Sequence, residues 1–454
     1  MISEADQKEK EGECGALQQF TSFRWDCFFA RGIEIRAAPV DIFEYCPLED
    51  SFSDLIKVGM LTETLNFMNE EPNDVYWIAR IVDIKGYMLA LEYVPKTSHL
   101  PLVWVNVGKP VLHQAGYCTR TKKVARPPVH EDGYGTRLVQ EALNQPSIPS
   151  GLRKIIDLEM RCKFKSGNLI EVLNMAENGR AQVGLVMDIK ENRLRIQFSE
   201  STAEPIWLHL FSGIVQYPGW SGVVGYEIDA SDDYQKKSTA AMLDRMKRKD
   251  IPEKALFLDY PANGWINANK LCPQMKLEIL HPRKPLAFYV AVVRRVLKFG
   301  YFTFFIEQDE SELSYANIDL CYHVSSTQIF PIGYCNKHGI PLHGPQRFMQ
   351  DGSLRFLDYL NANGNFVVPS EVFSKTNFIN KFEPGMKLEA VDLLHPSLIY
   401  VCTVVQVVDR LLRIRFDRWP SDYDQWRDCQ TPGIFPIGYC ELTGQTLQLP
   451  TSGM

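Results

Sequence analysis

The heptapeptide IFPIGYC fills Ile329–Cys335 and recurs unchanged at Ile434–Cys440. Seven identical residues do not recur by chance in a chain of 454. Two weaker copies extend the series: VLHQAGYC ends at Cys118 and IVQYPGWS ends at Ser221, each keeping Gly followed by Tyr or Trp. The end points 118, 221, 335 and 440 differ by 103, 114 and 105 residues. A second mark lies upstream in each copy: GMLTE from Gly59, GNLIE from Gly167, QMKLE from Gln274 and GMKLE from Gly385. A third is a proline followed by a bulky apolar residue, at Pro39, Pro149, Pro252 and Pro369. Three marks in one order, four times over, make an internal fourfold repeat. Its period exceeds the ~20–50 residues of solenoid units, and each copy is long enough to own a core.

The fourth copy shows the local pattern most clearly. In MKLEAV, Met386, Leu388 and Ala390 alternate with Lys387, Glu389 and Val391, which predicts a strand with one mostly polar face. LIYVCTVVQVV (Leu398–Val408) reads as a second, more fully buried strand, and LLRIRF sets Leu412, Ile414 and Phe416 against Arg413 and Arg415. Short strands joined by turns, without a long helix, predict a small barrel. A different texture precedes the barrel. SLRFLDYLNANGNFVVPSEVF has a helical pattern at Leu354, Leu357 and Leu360, breaks at Gly364 and runs on through Pro369. Ser238–Phe257 reads the same way before the third copy. An apolar arm without its own core must pack on a barrel, its own or a neighbour's. That predicts four barrels locked into one assembly.

Composition bounds the function. The chain is 45% hydrophobic and 11% aromatic, enough for several cores, and its net charge of −6 gives no global attraction for nucleic acid. The basic runs at Arg120–Arg126 and Arg245–Lys249 fall between barrel cores and read as solvated faces. Eleven cysteines include no CxxC pair, so zinc-site spacing is absent, and the odd count points to reduced thiols inside the cell. The acidic first residues are unlike a signal peptide, and the most apolar run is too short to span a bilayer. No HExxH, GxSxG or Walker loop appears, and no nucleophile is grouped with a base.

An arm with Pro, then GMKLEAVD..HP, then RIRFD.W...YD.W, then IFPIGYC closely resembles the malignant brain tumour (MBT) repeat. The resemblance runs from about Phe20 to Pro450, strongest in copy four, good in copy three and weaker in the first two. It implies a mainly β protein of four tandem repeats, each a Tudor-like five-stranded barrel with a helical N-terminal arm, packed into one compact assembly. The boundaries expected are a tail at 1–19 and repeats at 20–127, 128–230, 231–345 and 346–450. The family's chemistry is recognition of methylated lysine by an aromatic cage. A methylated ammonium keeps its charge, loses hydration and is drawn to aromatic faces, at roughly 0.5–2 kcal/mol each when desolvated. A carboxylate in the cage adds a charge-assisted hydrogen bond only while an N–H remains, so it favours mono- and dimethyl-lysine.

Within RFDRWPSDYDQW, Phe416, Trp419 and Tyr423 match the family's cage aromatics, and Asp392 matches its carboxylate. Three residues after that Asp the family often has Asn; here it is His395, a departure at the rim. Pro420 restricts Trp419 to extended backbone. Spacings of three and four also describe an amphipathic helix stripe that would be core, and spacing alone supports both readings equally. Trp426, with counterparts Trp104, Trp207 and Tyr322, reads as structural. In the other copies the Asp position holds Asn66, Asn174 or His281, and the Phe position Tyr93, Phe198 or Ile306. None can build the three-walled cage, so copies one to three are expected to serve architecture and protein contacts. The resemblance thus implies a non-enzymatic reader without cofactors, monomeric, nuclear and repressive. It would bind methylated histone H3 or H4 tails, H3 favoured, together with other chromatin or repressor proteins. Neither a membrane nor strong direct nucleic-acid binding is expected. The alternatives are a single-strand nucleic-acid binder and a scaffold whose cage is vestigial or takes a non-histone ligand.

Overall fold

The computed structural model describes residues 22–68, 74–96, 99–128, 135–173, 179–199, 201–247, 267–307, 319–364, 366–373 and 379–450. The expected tail and the third proline mark, Pro252, lie outside these residues.

Each copy is a curled antiparallel sheet. In copy four the strand order is Gln425–Asp428, Leu411–Phe416, Ile399–Val408, Lys387–Val391, Ile434–Phe435. A short return segment then runs parallel to the long strand, through the Leu447–Ile399 bridge. Copies two and three repeat this order, and in copy one the fifth strand is reduced to the Glu63–His113 bridge; the returns lie at Val124, Ile228 and Leu342. Every long strand carries one irregularity of register at the same place, between Ile81 and Asp83, Val186 and Asp188, Val293 and Arg295, and Val404 and Gln406. An extra residue there sharpens the strand's bend and lets a short sheet curl towards closure.

The first two sequence marks turn out to be one device. The glutamate ending each upstream mark is buried, and its carboxylate accepts from two backbone N–H groups of the Gly-Tyr-Cys or Gly-Trp-Ser turn. Glu389 accepts from Gly438 N at 2.7 Å and Cys440 N at 2.8 Å; Glu278 from Gly333 N at 2.6 Å and Cys335 N at 2.8 Å; Glu171 from Gly219 N at 2.6 Å and Ser221 N at 2.8 Å. Glu63 does the same with Gly116 and Cys118. These N–H groups begin a one-turn helix and have no partner within it. The capping glycines, such as Gly438 at φ 86°, are left-handed, a conformation open to glycine at little cost. The polar face predicted for MKLEAV is therefore not a solvent face: Glu389 is 0% exposed. Burial pushes the carboxyls of Glu171, Glu278 and Glu389 upward, against the N–H groups that favour their charge.

The arms settle on neighbouring barrels. Arm two pairs with barrel one (Ser147 with Leu61) and arm four with barrel three (Val367 with Lys276), while arm one closes the chain's two ends by pairing Ala37 with Lys387 of barrel four. Trp25 of arm one donates its indole N–H to Glu389 at 2.8 Å, and one continuous apolar cluster joins arm one with barrels one and four. Of the stripe expected at Leu354, Leu357 and Leu360, Leu354 is buried on a short strand before the helix and Leu360 is half-buried against the same apolar cluster. The helix Phe356–Asn363 buries Tyr359, whose hydroxyl bonds Glu307 of barrel three, and leaves Leu357 71% exposed. Before barrel three, a helix at Asp232–Lys247 buries Met242.

Barrel four touches the other three. Tyr87 N of barrel one bonds Ile437 O at 2.7 Å; Glu191 and Arg193 of barrel two bond Tyr439 and Gln445; Arg410 of barrel four bonds Ile329 O of barrel three at 3.1 Å and lies over the Phe330 ring. Among the described residues no helix is long and apolar enough to cross a membrane.

Candidate functional site

Phe416 ends its strand, and the chain then turns. Arg418 takes a left-handed φ of 68°, unusual for a residue with a side chain, and Trp419 N bonds back to Phe416 O at 3.0 Å. Pro420 starts a single 3-10 turn, Ser421–Tyr423. The segment is strand, turn and 3-10 turn, so the amphipathic-helix reading fails. Two of the acids that crowd it are clamps. Asp424 is held by Arg413 and Arg415 at 2.8 Å, and Asp417 by Lys387 at 2.5 Å and Thr403 at 2.8 Å.

This backbone brings the three expected aromatics together. Phe416 and Trp419 have ring centroids 5.8 Å apart at 62°, and Trp419 and Tyr423 are 5.1 Å apart at 79°. Phe416 is 2% exposed and Tyr423 45%, so the group runs from barrel interior to solvent. A fourth ring joins them. Tyr400, on the long strand, lies 5.4 Å from Phe416 and 5.6 Å from Trp419. Strand alternation gave Tyr400 no distinguishing signal. Its phenol is pushed up by burial and then by the charge of Asp392. The Trp419 indole N–H is buried with no partner among the described residues.

Asp392 is 5% exposed, with two partners on Oδ1 and one on Oδ2. Its Oδ1 accepts from Leu394 N at 3.0 Å and from the Gln425 amide at 2.7 Å, and its Oδ2 lies 2.8 Å from His395 Nδ1. The His395 ring is otherwise 70% exposed at the rim. Gln425 in turn accepts from the buried Arg427 guanidinium at 2.8 Å. Arg427, Gln425 and Asp392 thus form a chain that orients the carboxylate; Gln425 and Arg427 read in sequence only as strand residues beside Trp426.

The same register positions in the other copies are built differently. In barrel one, Asn66 accepts from Met68 N at 3.1 Å, as Asp392 does from Leu394, but the Tyr93 hydroxyl donates to Leu65 O at 2.7 Å and ties the loop down over itself. In barrel three, His281 Nδ1 accepts from Arg283 N at 3.0 Å, and strand pairing sets Ile306 opposite Ala291 as Phe416 is set opposite Cys402. In barrel two, Phe198 holds the position and is half-buried, while Asn174 lies outside the described residues. Trp104 and Trp207 occupy the register of Trp426, but the third counterpart is Cys321; Tyr322 stands where copy four has Arg427. Among the described residues no group of His, Cys, Asp and Glu is placed to hold a metal ion.

Comparison with known proteins agrees with this architecture. The family model described as "mbt repeat" matches residues 60–131, 275–349 and 386–453, which fall in copies one, three and four. MBT domain-containing protein 1 of Xenopus laevis is 32% identical over 94% of this chain and 68% of its own length; the Homo sapiens protein of that name is 30% identical over 98% and 69%. Polycomb protein Sfmbt of Drosophila melanogaster is 30% identical over 91% of this chain, which spans 35% of that protein. The crystal structure of the four MBT repeats of Drosophila melanogaster Sfmbt in complex with the peptide RHR(me)KVLR superposes with a TM-score of 0.82, at 27% identity, covering 95% of this chain and 99% of that one.

Proposed function

Given that the chain belongs to the MBT-repeat family, we propose that its fourth barrel binds the methylated ammonium of a lysine side chain on a histone tail. The observation that carries this reading is the group of four rings, Tyr400, Phe416, Trp419 and Tyr423, with Asp392 held beside it by Gln425 and Arg427. Rings at steep mutual angles present several π faces to one point, which suits a desolvated cation. Asp392 Oδ2 supplies an acceptor for a remaining N–H, so mono- and dimethyl-lysine are the favoured states. Flanking sequence contributes little to a site that takes one side chain, and binding is micromolar or weaker, about −8 kcal/mol or less in magnitude.

The other three barrels serve as architecture and as docking surfaces for chromatin and repressor proteins; the protein works in the nucleus, in transcriptional repression, by binding rather than by chemistry. The tied-down Tyr93 loop of barrel one and the aliphatic Ile306 of barrel three favour this division of labour. The test is a panel of histone H3 and H4 peptides differing in site and methylation state, titrated against the whole chain, with single-stranded RNA alongside. Preference for unmodified lysine, or for RNA, would refute the reading. The scaffold alternative predicts no measurable affinity for any peptide.

A further inference from the structure

Three donors meet Asp392, and one differs from the rest. Leu394 N and the Gln425 amide share Oδ1, and both belong to the barrel's own frame. Oδ2 has a single partner among the described residues, His395 Nδ1 at 2.8 Å. The His395 side chain is 70% exposed, on the rim loop that follows Asp392. A carboxylate only accepts, so Nδ1 carries the hydrogen and, in the neutral ring, Nε2 is a lone pair. A proton added at Nε2 leaves this contact in place and turns it into an ion pair.

A carboxylate oxygen has room for about two donors, so the second place on Oδ2 is the one open to a methyl-lysine N–H. Two nitrogens on one oxygen, each at ordinary hydrogen-bond length, lie within about 6 Å of each other. Barrel three carries a cation at the same loop position. Its Lys284 ammonium lies 5.6 Å from the centroid of Tyr289, which has the strand register of Tyr400. A charge at this position thus reaches the ring whose counterpart lines the candidate cage.

The other charged or titratable groups around His395 are of different types. Arg427 feels the Asp392 charge directly, as does the Tyr400 phenol. Arg193 of barrel two bonds the Pro396 carbonyl. Arg283 of barrel three and Glu204 and Asp229 of barrel two line the groove beside Leu394 and Pro396, and the cage turn exposes Arg418 and Asp422. Among these side-chain types, histidine is the one whose charge ordinarily changes between about pH 5 and 8.

We infer that His395 is a specificity-determining residue of the cage. As a neutral ring it shares Oδ2 with the methyl-lysine N–H; as an imidazolium it draws the charge of Asp392 to itself and repels the methylated ammonium, so acidification releases the peptide. The inference rests on the methyl-lysine reading and adds control of that site by protons.

The experiment is calorimetric titration of the whole chain with a dimethyl-lysine peptide that contains no histidine. It is run at about pH 7.5, 6.5 and 5.5 and constant ionic strength, across the interval in which histidine gains its charge. Like charges about 6 Å apart cost a factor of about three in affinity at the permittivity of water, and more beside buried rings. Wild-type affinity should therefore fall about three- to tenfold over that interval. His395→Asn, an exposed change to the residue the family often has there, should lose most of this dependence and bind better than wild type at the acid end. His395→Lys carries its charge throughout, so near neutral pH it should bind as weakly as acidified wild type. Parallel profiles for wild type and His395→Asn, or undiminished binding by His395→Lys near neutral pH, overturn the inference and leave the cage in place. No binding of the methylated peptide by wild type at any pH refutes the methyl-lysine reading, and the inference with it.

Discussion

At the scale of single residues, the candidate cage separates side chains that touch a ligand from those that place them. Trp419→Ala removes the wall shared by the other three rings. Methyl-lysine peptide binding, followed by calorimetric titration, should weaken at least tenfold, about 1–2 kcal/mol. Folded Trp419→Ala protein that binds like wild type would show that the cage is elsewhere. Asp392→Asn should leave the fold intact, because Asn66 already makes the same turn in barrel one. It loses the charge that a remaining N–H would use, so mono- and dimethyl-lysine should lose more affinity than trimethyl-lysine; equal losses would mean that the carboxylate acts only as structure. Phe416, Trp419, Tyr423 and Asp392 were legible only through the resemblance, because two short stretches match the family's motif; their spacing alone left cage and core equally open. Tyr400 and Gln425 were not. Each sits on a regular strand, and only cross-strand register carries it to the site.

At the scale of elements, the recurring signature is a glutamate on the first strand capping a one-turn helix some fifty residues later. Glu278→Ala would leave the Gly333 and Cys335 N–H groups buried and unpaired. Each such loss costs roughly 1–3 kcal/mol, so urea unfolding should show a destabilisation of about 2–6 kcal/mol. Glu278→Gln keeps one acceptor and should cost less. Equal costs for the two variants would mean that side-chain volume, not capping, keeps the residue. Both halves of this device were visible as repeated marks in the sequence. Their connection was not, because a buried carboxylate in an alternating strand reads as the polar face.

At the scale of the molecule, the arms make the order of the chain differ from the order of packing. Arm one buries Trp25, Phe29, Val40 and Phe43, largely in the cluster shared with barrel four. At roughly 1.5–3 kcal/mol for each large side chain, removing residues 1–50 should take away much of the ~5–15 kcal/mol of a typical fold. The deletion should also lower methyl-lysine affinity, although it lies some 340 residues before the cage in the sequence. A truncated chain as heat-stable as the whole would mean that the arm is not packed this way. Acidity should act through opposing buried groups. His209, His281 and His323 have pKa values lowered to about 3, 4 and 3, so the unfolded chain binds more protons than the native one below about pH 6.5, and stability falls as pH falls. Glu191 and Asp428, pushed up to about 7 and 6, act in the opposite sense between those values and the ordinary carboxylate range. With Glu49 also pushed up to about 7, the expected profile of Tm is shallow from pH 7 to about 5 and steep below about 4.5, where the histidines still differ and the lowered carboxyl of Asp26 adds to the fall. His323→Gln should reduce the steep part, and a uniform decline from pH 7 would mean that these carboxylates are ionised in the native protein.

Fold class and repeat number follow from the amino-acid sequence alone, because each depends on local order, strand periodicity and turn glycines; the choice of barrel four as the candidate reader follows from the resemblance and from which copy keeps the family's aromatics. Which barrel the arms cover, what the strand glutamates cap, and how Tyr400 and Gln425 come to the candidate site were decided only by the tertiary structure. The physical reason is that the four barrels offer nearly equivalent edges. Ala37 pairs with Lys387, and not with the nearer barrel one, because Trp25 finds Glu389 and the arm's apolar side chains complete a cluster at that edge. Such complementarity between segments hundreds of residues apart leaves no periodic trace in either segment.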